Sequence, residues 1–316
     1  MINLKKFIFL ISLALLASLA YSQDDLLDLV TDKANQPPQK VYATFKTMRI
    51  CNAQTIETVK KKHLDFRISH RFANVYDSGL PNPINGTGQS FFGFESASDI
   101  RFNFDYGLTE NITIGIGRNK MNHLLDGTLK WKILKQTANF SMPISLVFFS
   151  SIGYTHDLPS TIYSGIIKDF PTNELHRFNF FNQLIIASKI NNRISLEVLP
   201  SYMHRNFIKE SLNTNNGAYD VNGFFSLGFG GRIKLNNRLS FIGDYYYNFN
   251  PYYQKNTKAF NPLALGFEIE TGGHVFSLFV TNAGGLIENN FIPYTTDTWS
   301  KGQVKFGFCI SRTFAL

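Results

Sequence analysis

The sequence predicts an all-β fold, an antiparallel up-and-down transmembrane β-barrel of about twelve strands, on three observations. Apolar and polar residues alternate almost without a break over residues 63–316. Beyond the first residues no apolar stretch is long enough for a membrane helix. The segments that alternate are joined by connections that are long and short in turn.

The chain opens with Lys5 and Lys6 before an apolar run over residues 7–20, and Ala20-Tyr21-Ser22 offers small residues at the two positions a signal peptidase reads. The run is too short to span a bilayer, so residues 1–22 read as a signal peptide cleaved near Ser22. The first cysteine is Cys51, far from that point, so no lipid-anchored N-terminus is expected. A content of 44% hydrophobic and 17% charged residues excludes a disordered chain, and 2 Cys exclude a disulfide scaffold. Of 31 basic residues against 23 acidic ones, two lysines leave with the signal. The remaining surplus suits a solvated surface, and no basic run interleaves with recognition motifs, so no nucleic acid is expected. The expected location is the outer membrane of a Gram-negative bacterium. The expected partners are outer-membrane lipid, the barrel-assembly machinery during insertion, and an unidentified periplasmic or extracellular partner.

In residues 24–30 the pattern D-D-L-L-D-L-V makes a turn or two of amphipathic helix, and T-D-K-A-N-Q-P-P-Q-K is a linker. Residues 41–51 then read as a β segment. Residues 23–62 are assigned to an N-terminal segment that is either periplasmic or lies in the lumen as a plug, with the barrel at 63–316. In the first barrel segment Leu64, Phe66, Ile68 and Phe72 face one way, and Asp65, Arg67, Ser69 and Arg71 the other. In the second, Ile100, Phe102, Phe104, Tyr106 and Leu108 oppose Asp99, Arg101, Asn103 and Asp105. Such strands divide an apolar phase from a polar one.

Twelve strands follow at 63–73, 98–108, 112–118, 128–134, 140–154, 175–188, 193–206, 219–234, 238–248, 263–270, 275–282 and 302–316. Their connections run 24, 3, 9, 5, 20, 4, 12, 3, 14, 4 and 19 residues, every odd one long and every even one a turn. A sandwich with Greek-key crossings has no reason to alternate in this way. An even count also returns both barrel ends to the periplasm. The last strand sets Val304, Phe306, Phe308, Ile310, Phe314 and Leu316 against Lys305, Gly307, Cys309, Ser311, Thr313 and Ala315, an amphipathic ending of the kind barrel-assembly machinery reads.

The stretches L-D-F-R-I-S-H-R-F (64–72), D-Y-G-L-T-E-N-I-T-I-G-I-G-R (105–118), P-S-Y-M-H-R-N-F (200–207), I-E-T-G-G-H-V-F (269–276) and T-M-R-I-C-N-A-Q-T-I-E (47–57) resemble an outer-membrane β-barrel family of Gram-negative bacteria catalogued as a domain of unknown function. The resemblance implies fold and compartment. It implies no activity and no site residues.

By alternation the lumen receives Asp65, Asp99, Asp105, Glu197, Asp244, Glu268 and Glu270 together with Arg67, Arg71, Arg101, Lys130, Lys132, Arg177, Arg193, Arg205, Arg232, Lys234 and Lys305, a basic surplus of about four. Two readings stay open. One is a charged pore that passes small polar solutes and mildly prefers anions; the other is an interior stapled shut by ion pairs, such as Arg67 or Arg71 with Asp99 or Asp105. Within 41–57, read as extended, Lys46, Arg49, Asn52, Gln54 and Glu57 are the polar residues a plug would offer the wall. Cys309 should face inward, where a disulfide with Cys51 is one alternative and two free thiols the other.

No enzyme, metal or cofactor is expected, an outer-membrane hydrolase being the trailing alternative because some hydrolases are barrels of similar size. Ser69 and His70 are adjacent strand residues on opposite faces and cannot form a nucleophile and its base. Glu268 and Glu270 share a face, but His274 falls at a turn. His70 and His204 take lipid-face parity, as interfacial residues do. I-G-I-G-R (114–118) lacks the setting of a dinucleotide site, and Gly115 and Gly117 read as small residues at a crowded wall. Tyr245, Tyr246, Tyr247, Phe249, Tyr252 and Tyr253 sit where an aromatic girdle belongs, with a carbohydrate-stacking surface as the alternative.

Overall fold

The computed structural model describes residues 38–76, 83–156, 174–208, 212–256 and 258–316. The expected signal peptide, the expected 24–30 helix and most of the expected linker lie outside them, as do parts of the two longest loops. Twelve strands form one closed antiparallel barrel: β1 (His63–Asn74), β2 (Ala97–Gly107), β3 (Ile112–Asn119), β4 (Leu124–Leu134), β5 (Ser145–Thr155), β6 (Phe178–Lys189), β7 (Ile194–Arg205), β8 (Gly223–Lys234), β9 (Leu239–Asn248), β10 (Leu263–Thr271), β11 (His274–Thr281) and β12 (Lys305–Ala315). Each pairs with its sequence neighbours, and β12 returns to β1 to close the wall. A two-residue ladder, Leu212–Asn213 with Ala218–Tyr219, stands apart in the connection between β7 and β8.

The alternation in sequence becomes two faces. Along β2, Asp99, Arg101, Asn103 and Asp105 are buried, while Phe102 and Phe104 are among the exposed large apolar residues. Trp131, Phe229, Phe267 and Leu278 are exposed in the same way, so the wall turns an apolar surface outward, the rule for a barrel in lipid. Among the described residues no helix is long and apolar enough to cross a membrane.

Two expectations about connections are corrected. β4 begins at Leu124 because Leu124 and Asp126 continue the inward face, which shortens the β3–β4 connection to 120–123. β5 begins at Ser145 because residues 135–144 form a knot of side-chain turns around Thr137 and Asn139. The strict rhythm of long and short connections therefore breaks at β3–β5, although closure and strand number survive. A separate expectation, the β segment at 41–51, is also corrected: it forms bends and one isolated bridge, Arg49 with Gln54, and no strand.

Helix α1 (Pro83–Gln89) lies in the β1–β2 loop and α2 (Glu288–Tyr294) in the β11–β12 loop. The second loop was expected to stand outside, yet α2 is buried from Glu288 to Pro293. It turns into the barrel, as does the N-terminal segment.

The closing pair can be tested. Ser69 and Cys309 are register partners, with Ser69 Oγ 3.4 Å from Cys309 Sγ, a spacing within reach of a disulfide. Ser69→Cys in a Cys51→Ser background should oxidise spontaneously and leave no titratable thiol in the denatured, unreduced protein. Two free thiols would refute the β1–β12 register.

Candidate functional site

The inward side chains divide the interior into two arcs. Strands β1–β4 present Asp65, Arg67, Arg71, Asp99, Arg101, Asp105, Asp126 and Lys130, all buried. Strands β5–β8 present Val147, Phe149, Phe181, Ile185, Leu199, Met203 and Phe224, also buried. The second arc belongs to one apolar cluster with Phe45, Ile50, Cys51, Ala53 and Ile56 of the N-terminal segment and Phe291 and Ile292 of α2. An apolar wall facing inward is stable only when something apolar covers it.

The N-terminal segment supplies that cover. Its turn at 50–53 is caught by Asp244 on β9: Oδ2 accepts from the backbone N–H groups of Asn52 at 2.7 Å and Ala53 at 3.1 Å, and Oδ1 from Asn52 Nδ2 at 3.0 Å. From the opposite side, Arg71 donates to Asn52 Oδ1 at 3.0 Å and to the Ala283 carbonyl at 2.9 Å, with its guanidinium over the Phe279 ring. Lys130 donates to three carbonyls of the segment, Met48, Thr55 and Glu57, at 3.0–3.2 Å. Ser195 Oγ donates to the Thr44 carbonyl at 2.7 Å, and Thr113 Oγ1 accepts from Val59 N at 3.0 Å. Residues 44–59 thus touch β1, β3, β4, β7 and β9 from within.

Arg49 joins this segment to α2. Its Nη2 donates to Glu288 Oε2 at 2.7 Å, and Nη1 donates to the Leu286 carbonyl at 3.1 Å. On the other side of α2, Asn289 accepts from Ser151 at 2.8 Å and donates to Asn179, while Phe291 packs edge-on against Tyr246 at 5.3 Å. Asp99 accepts from Leu286 N at 3.1 Å, from Met121 N at 2.9 Å and from Asn119 Nδ2 at 3.0 Å.

The ion pairing differs from expectation. Arg101 pairs with Asp126, Nη2 to Oδ2 at 2.8 Å, and also donates to Asn103 and Asn119. Arg67 meets Asp65 at 3.5 Å, and Arg71 serves the filling; neither pairs with Asp99 or Asp105. The reason is register: the β1–β2 partners of Arg67 and Arg71 are Asn103 and Asp99, and Asp99 turns its carboxylate to backbone N–H groups. Arg232 pairs with Glu268 at 2.7 Å, Arg205 with Asp220 at 2.8 Å, and Lys305 with Asp297. Glu197 is buried among Gly230 and the apolar arc.

Several expected interior residues lie nearer the mouth. Glu270 is 39% exposed and pairs with Lys46 at 2.9 Å; Lys132 and Lys234 are half-buried, and Arg193 is exposed in its turn. Arg177 lies in a short helical turn beside Glu174 at 3.0 Å. The charged residues buried among those described are eight acids, Asp65, Asp99, Asp105, Asp126, Glu197, Asp244, Glu268 and Glu288, and eight bases, Arg49, Arg67, Arg71, Arg101, Lys130, Arg205, Arg232 and Lys305. The expected basic surplus is therefore absent from that set. Arg49, Asn52 and Gln54 are buried as a plug would need, whereas Glu57 is half-buried, accepting from Phe45 N at 3.0 Å.

Cys51 and Cys309 are both buried free thiols. Gly115 and Gly117 face crowded side chains: a Cβ at Gly117 would stand 2.2 Å from Arg101 Nη2, and one at Gly115 2.1 Å from Asp105 Oδ1, so either would displace a charged side chain of the wall. Tyr246 is no girdle residue. It is fully buried and its hydroxyl accepts from Gln183 at 3.2 Å, because the β9 alternation turns it inward between Tyr245 and Tyr247. Tyr253 is buried too, its hydroxyl donating to the Pro293 carbonyl. His70 stacks on Phe308 of the outer face at 5.4 Å. Among the described residues no group of three His, Cys, Asp or Glu is placed to hold a metal ion.

Sequence reasoning missed three things: Asp126, α2 and the apolar arc. Asp126 was legible as the continuation of the β4 alternation by two residues. The apolar arc showed as a segment around 178–187 that is apolar on both faces, a pattern no water-filled lumen requires.

Two cavities among the described residues border the filling. One of about 30 Å³ lies between the segment and the β1–β4 arc, lined by Arg67, Ser69, Arg101, Asp105, Thr128 and Lys130, room for about one water. The other, about 550 Å³, opens at the short-turn end, bordered by Tyr42, Lys46, Lys60, Glu110, Lys132 and Glu270.

Removing Arg101 would strand Asp126 as an uncompensated buried charge, at a cost of about 3–5 kcal/mol. Arg101→Ala should lower the denaturant midpoint of lipid-reconstituted protein, and Arg101→Met with Asp126→Leu should recover most of the loss. Asp244→Ala removes three hydrogen bonds from the 50–53 turn; residues 38–62 should then be cut by protease while the barrel stays folded, and remain protected in the parent.

Among solved structures, the chain is similar to the NanC porin at 8% identity, covering 80% of this chain and 100% of that one with a TM-score of 0.46. It is similar to the KdgM porin at 6%, with 80% and 99% covered and a TM-score of 0.43. LpxR from Salmonella typhimurium aligns at 11%, with 80% and 100% covered and a TM-score of 0.35. Likenesses this distant say nothing of what this chain does. Comparison with curated protein sequences finds no match. Over residues 45–314, nearly all of the barrel and much of its filling, the chain matches the family described as "Membrane bound beta barrel domain (DUF5777)", and it belongs to that family.

Proposed function

We propose that this protein is a channel-type barrel of the outer membrane that passes small polar solutes and is closed at rest by its own residues 44–59 and α2. The observation that carries the reading is the asymmetry of the filling. Against β5–β8 it packs chiefly as an apolar core, with hydrogen bonds at Ser151, Asn179 and Ser195, but against β1–β4 it is held by hydrogen bonds through Arg71, Lys130 and Thr113, with a small polar gap beside Arg67 and Arg101. Such bonds exchange for water at a net cost of about 1–3 kcal/mol each, the charged donors at the upper end, whereas the apolar core has no such exchange, so the polar flank is where a passage opens most readily. The eight-to-eight balance of buried charge favours polar solutes without a strong preference for sign. The signal-like start of the chain and its family membership support the outer membrane as the location.

The apolar arc favours a second reading, a closed scaffold or partner-binding barrel, because an interior packed like a soluble core resists opening. Single-channel recording separates the two. The channel reading expects protein lacking only residues 1–22 to be mostly silent and protein lacking residues 1–62 to show conductance steps. Replacing Arg67 and Arg101 by Ala in the truncated form should shift its ion preference toward cations. Silence of both forms, with folding confirmed by heat-modifiable gel mobility, would discard the channel reading.

A further inference from the structure

The β1–β2 loop carries Phe91-Phe92-Gly93-Phe94, and it folds back over the outside of the barrel at the seam where β1 meets β12. Ala73 N, at the end of β1, donates to the carbonyls of Gly93 at 3.2 Å and Ser96 at 2.9 Å. The approach is close enough that a Cβ at Gly93, whose φ is +81°, would stand 2.6 Å from the Ala73 carbonyl oxygen. Phe94 stacks on Phe306 of β12 at 5.1 Å and 16°, and meets Phe72 of β1 edge-on at 4.8 Å. Phe72 in turn touches His70 and Phe308. The loop is thus seated on outward-facing rings of both seam strands.

Phe91 and Phe92 continue this patch away from the wall. Their rings are 63% and 51% exposed, and among the described residues their ring contacts are with each other at 6.3 Å and, for Phe91, with Phe94 at 6.0 Å. Both have left-handed backbone, φ +46° and +56°, held by Phe91 N to the Gly88 carbonyl at 3.1 Å and Phe92 N to the Thr87 carbonyl at 2.9 Å. Bulky residues rarely adopt that conformation, and it persists where the surroundings impose it. The stretch 83–96 contains one charge, Glu95, and no basic residue, so it offers nothing to a phosphate.

We propose that Phe91 and Phe92 form a wedge inserted into the acyl chains of the leaflet at the long-loop end, making the 83–96 loop a membrane-bound clasp across the barrel seam. Three observations support this occupant: the patch is continuous with the lipid-facing rings of β1 and β12, it stands where aromatic belts meet the interface, and it lacks charge suited to water or headgroups.

The test is fluorescence of the mature protein refolded in phospholipid vesicles, as Phe91→Trp and separately Phe92→Trp. Emission is taken as the difference from the parent, which holds Trp131 and Trp299. Both positions are exposed, so folding should survive; heat-modifiable gel mobility confirms it. The added emission is expected to be blue-shifted, quenched by lipid brominated at shallow acyl positions, and little affected by aqueous iodide. Red-shifted emission quenched by iodide and not by brominated lipid would overturn the proposal. Shielding from both quenchers, with cross-linking between copies at these positions, would also overturn it and assign the patch to a second copy of this chain.

Discussion

A twelve-stranded wall encloses more volume than its own inward side chains fill, and the rest of this structure follows from that constraint. The surplus is either water or protein. Here it is protein: a segment that precedes the first strand and a short helix that precedes the last both turn inward. Once they are present, the wall can carry Phe149, Phe181, Leu199 and Met203 on its inner face, because those rings and methyls meet Phe45, Ile50 and Phe291 and not solvent. The apolar arc and the filling stabilise each other, and neither makes sense alone.

The charged arc solves the complementary problem. Backbone of the filling lies inside a low-dielectric enclosure, where an unpaired carbonyl or N–H is costly. Lys130 answers three carbonyls, Asp244 answers two N–H groups, and Arg71 bridges the 50–53 turn to the base of the α2 loop. Charged side chains in a lumen are commonly read as an invitation to ions. In this barrel many of them act as the hydrogen-bonding partners that a β-sheet or helix would otherwise supply to irregular chain.

How much of this is legible in the sequence depends on range. Period-two alternation is a local property, and it marks all twelve strands to within a few residues, with Asp65, Arg67 and Arg71 inward and His70 outward. The even count places both barrel ends on one side, and closure is made by the β1–β12 pairing. What the inward residues bind is a long-range property. Arg101 and Asp126 are two strands apart, and their pairing depends on the start of β4, where Leu124 and Asp126 precede the segment with the clearest alternation. The β11–β12 connection reads as an ordinary external loop because Asn, Gly and Thr are common to loops and to polar contacts inside a barrel. Its inward course rests on Leu286, Ile287, Phe291 and Ile292, which local patterning cannot tell from loop apolars. Residues 41–51 read as a strand because Val41, Phe45 and Ile50 have β propensity; their N–H groups go instead to the Gln136 carbonyl, to Glu57 Oε1 and to the Ala53 carbonyl, so no ladder forms.

The places where the two fillers leave the wall bear on how the molecule is built. One enters just before β1 and the other lies in the loop that leads into β12, so each is tethered to a strand of the pair that seals the cylinder. Zipping β1 to β12 makes a continuous ring around both. A chain that seals first leaves the 44–59 segment to thread through a rim already formed, while α2 has to fold in from a loop anchored at both ends. A chain that first gathers the segment against β7 and β9, with the seam still parted, meets no such obstacle. Where the contents are tied thus makes a seam that closes around them the less obstructed route to this interior.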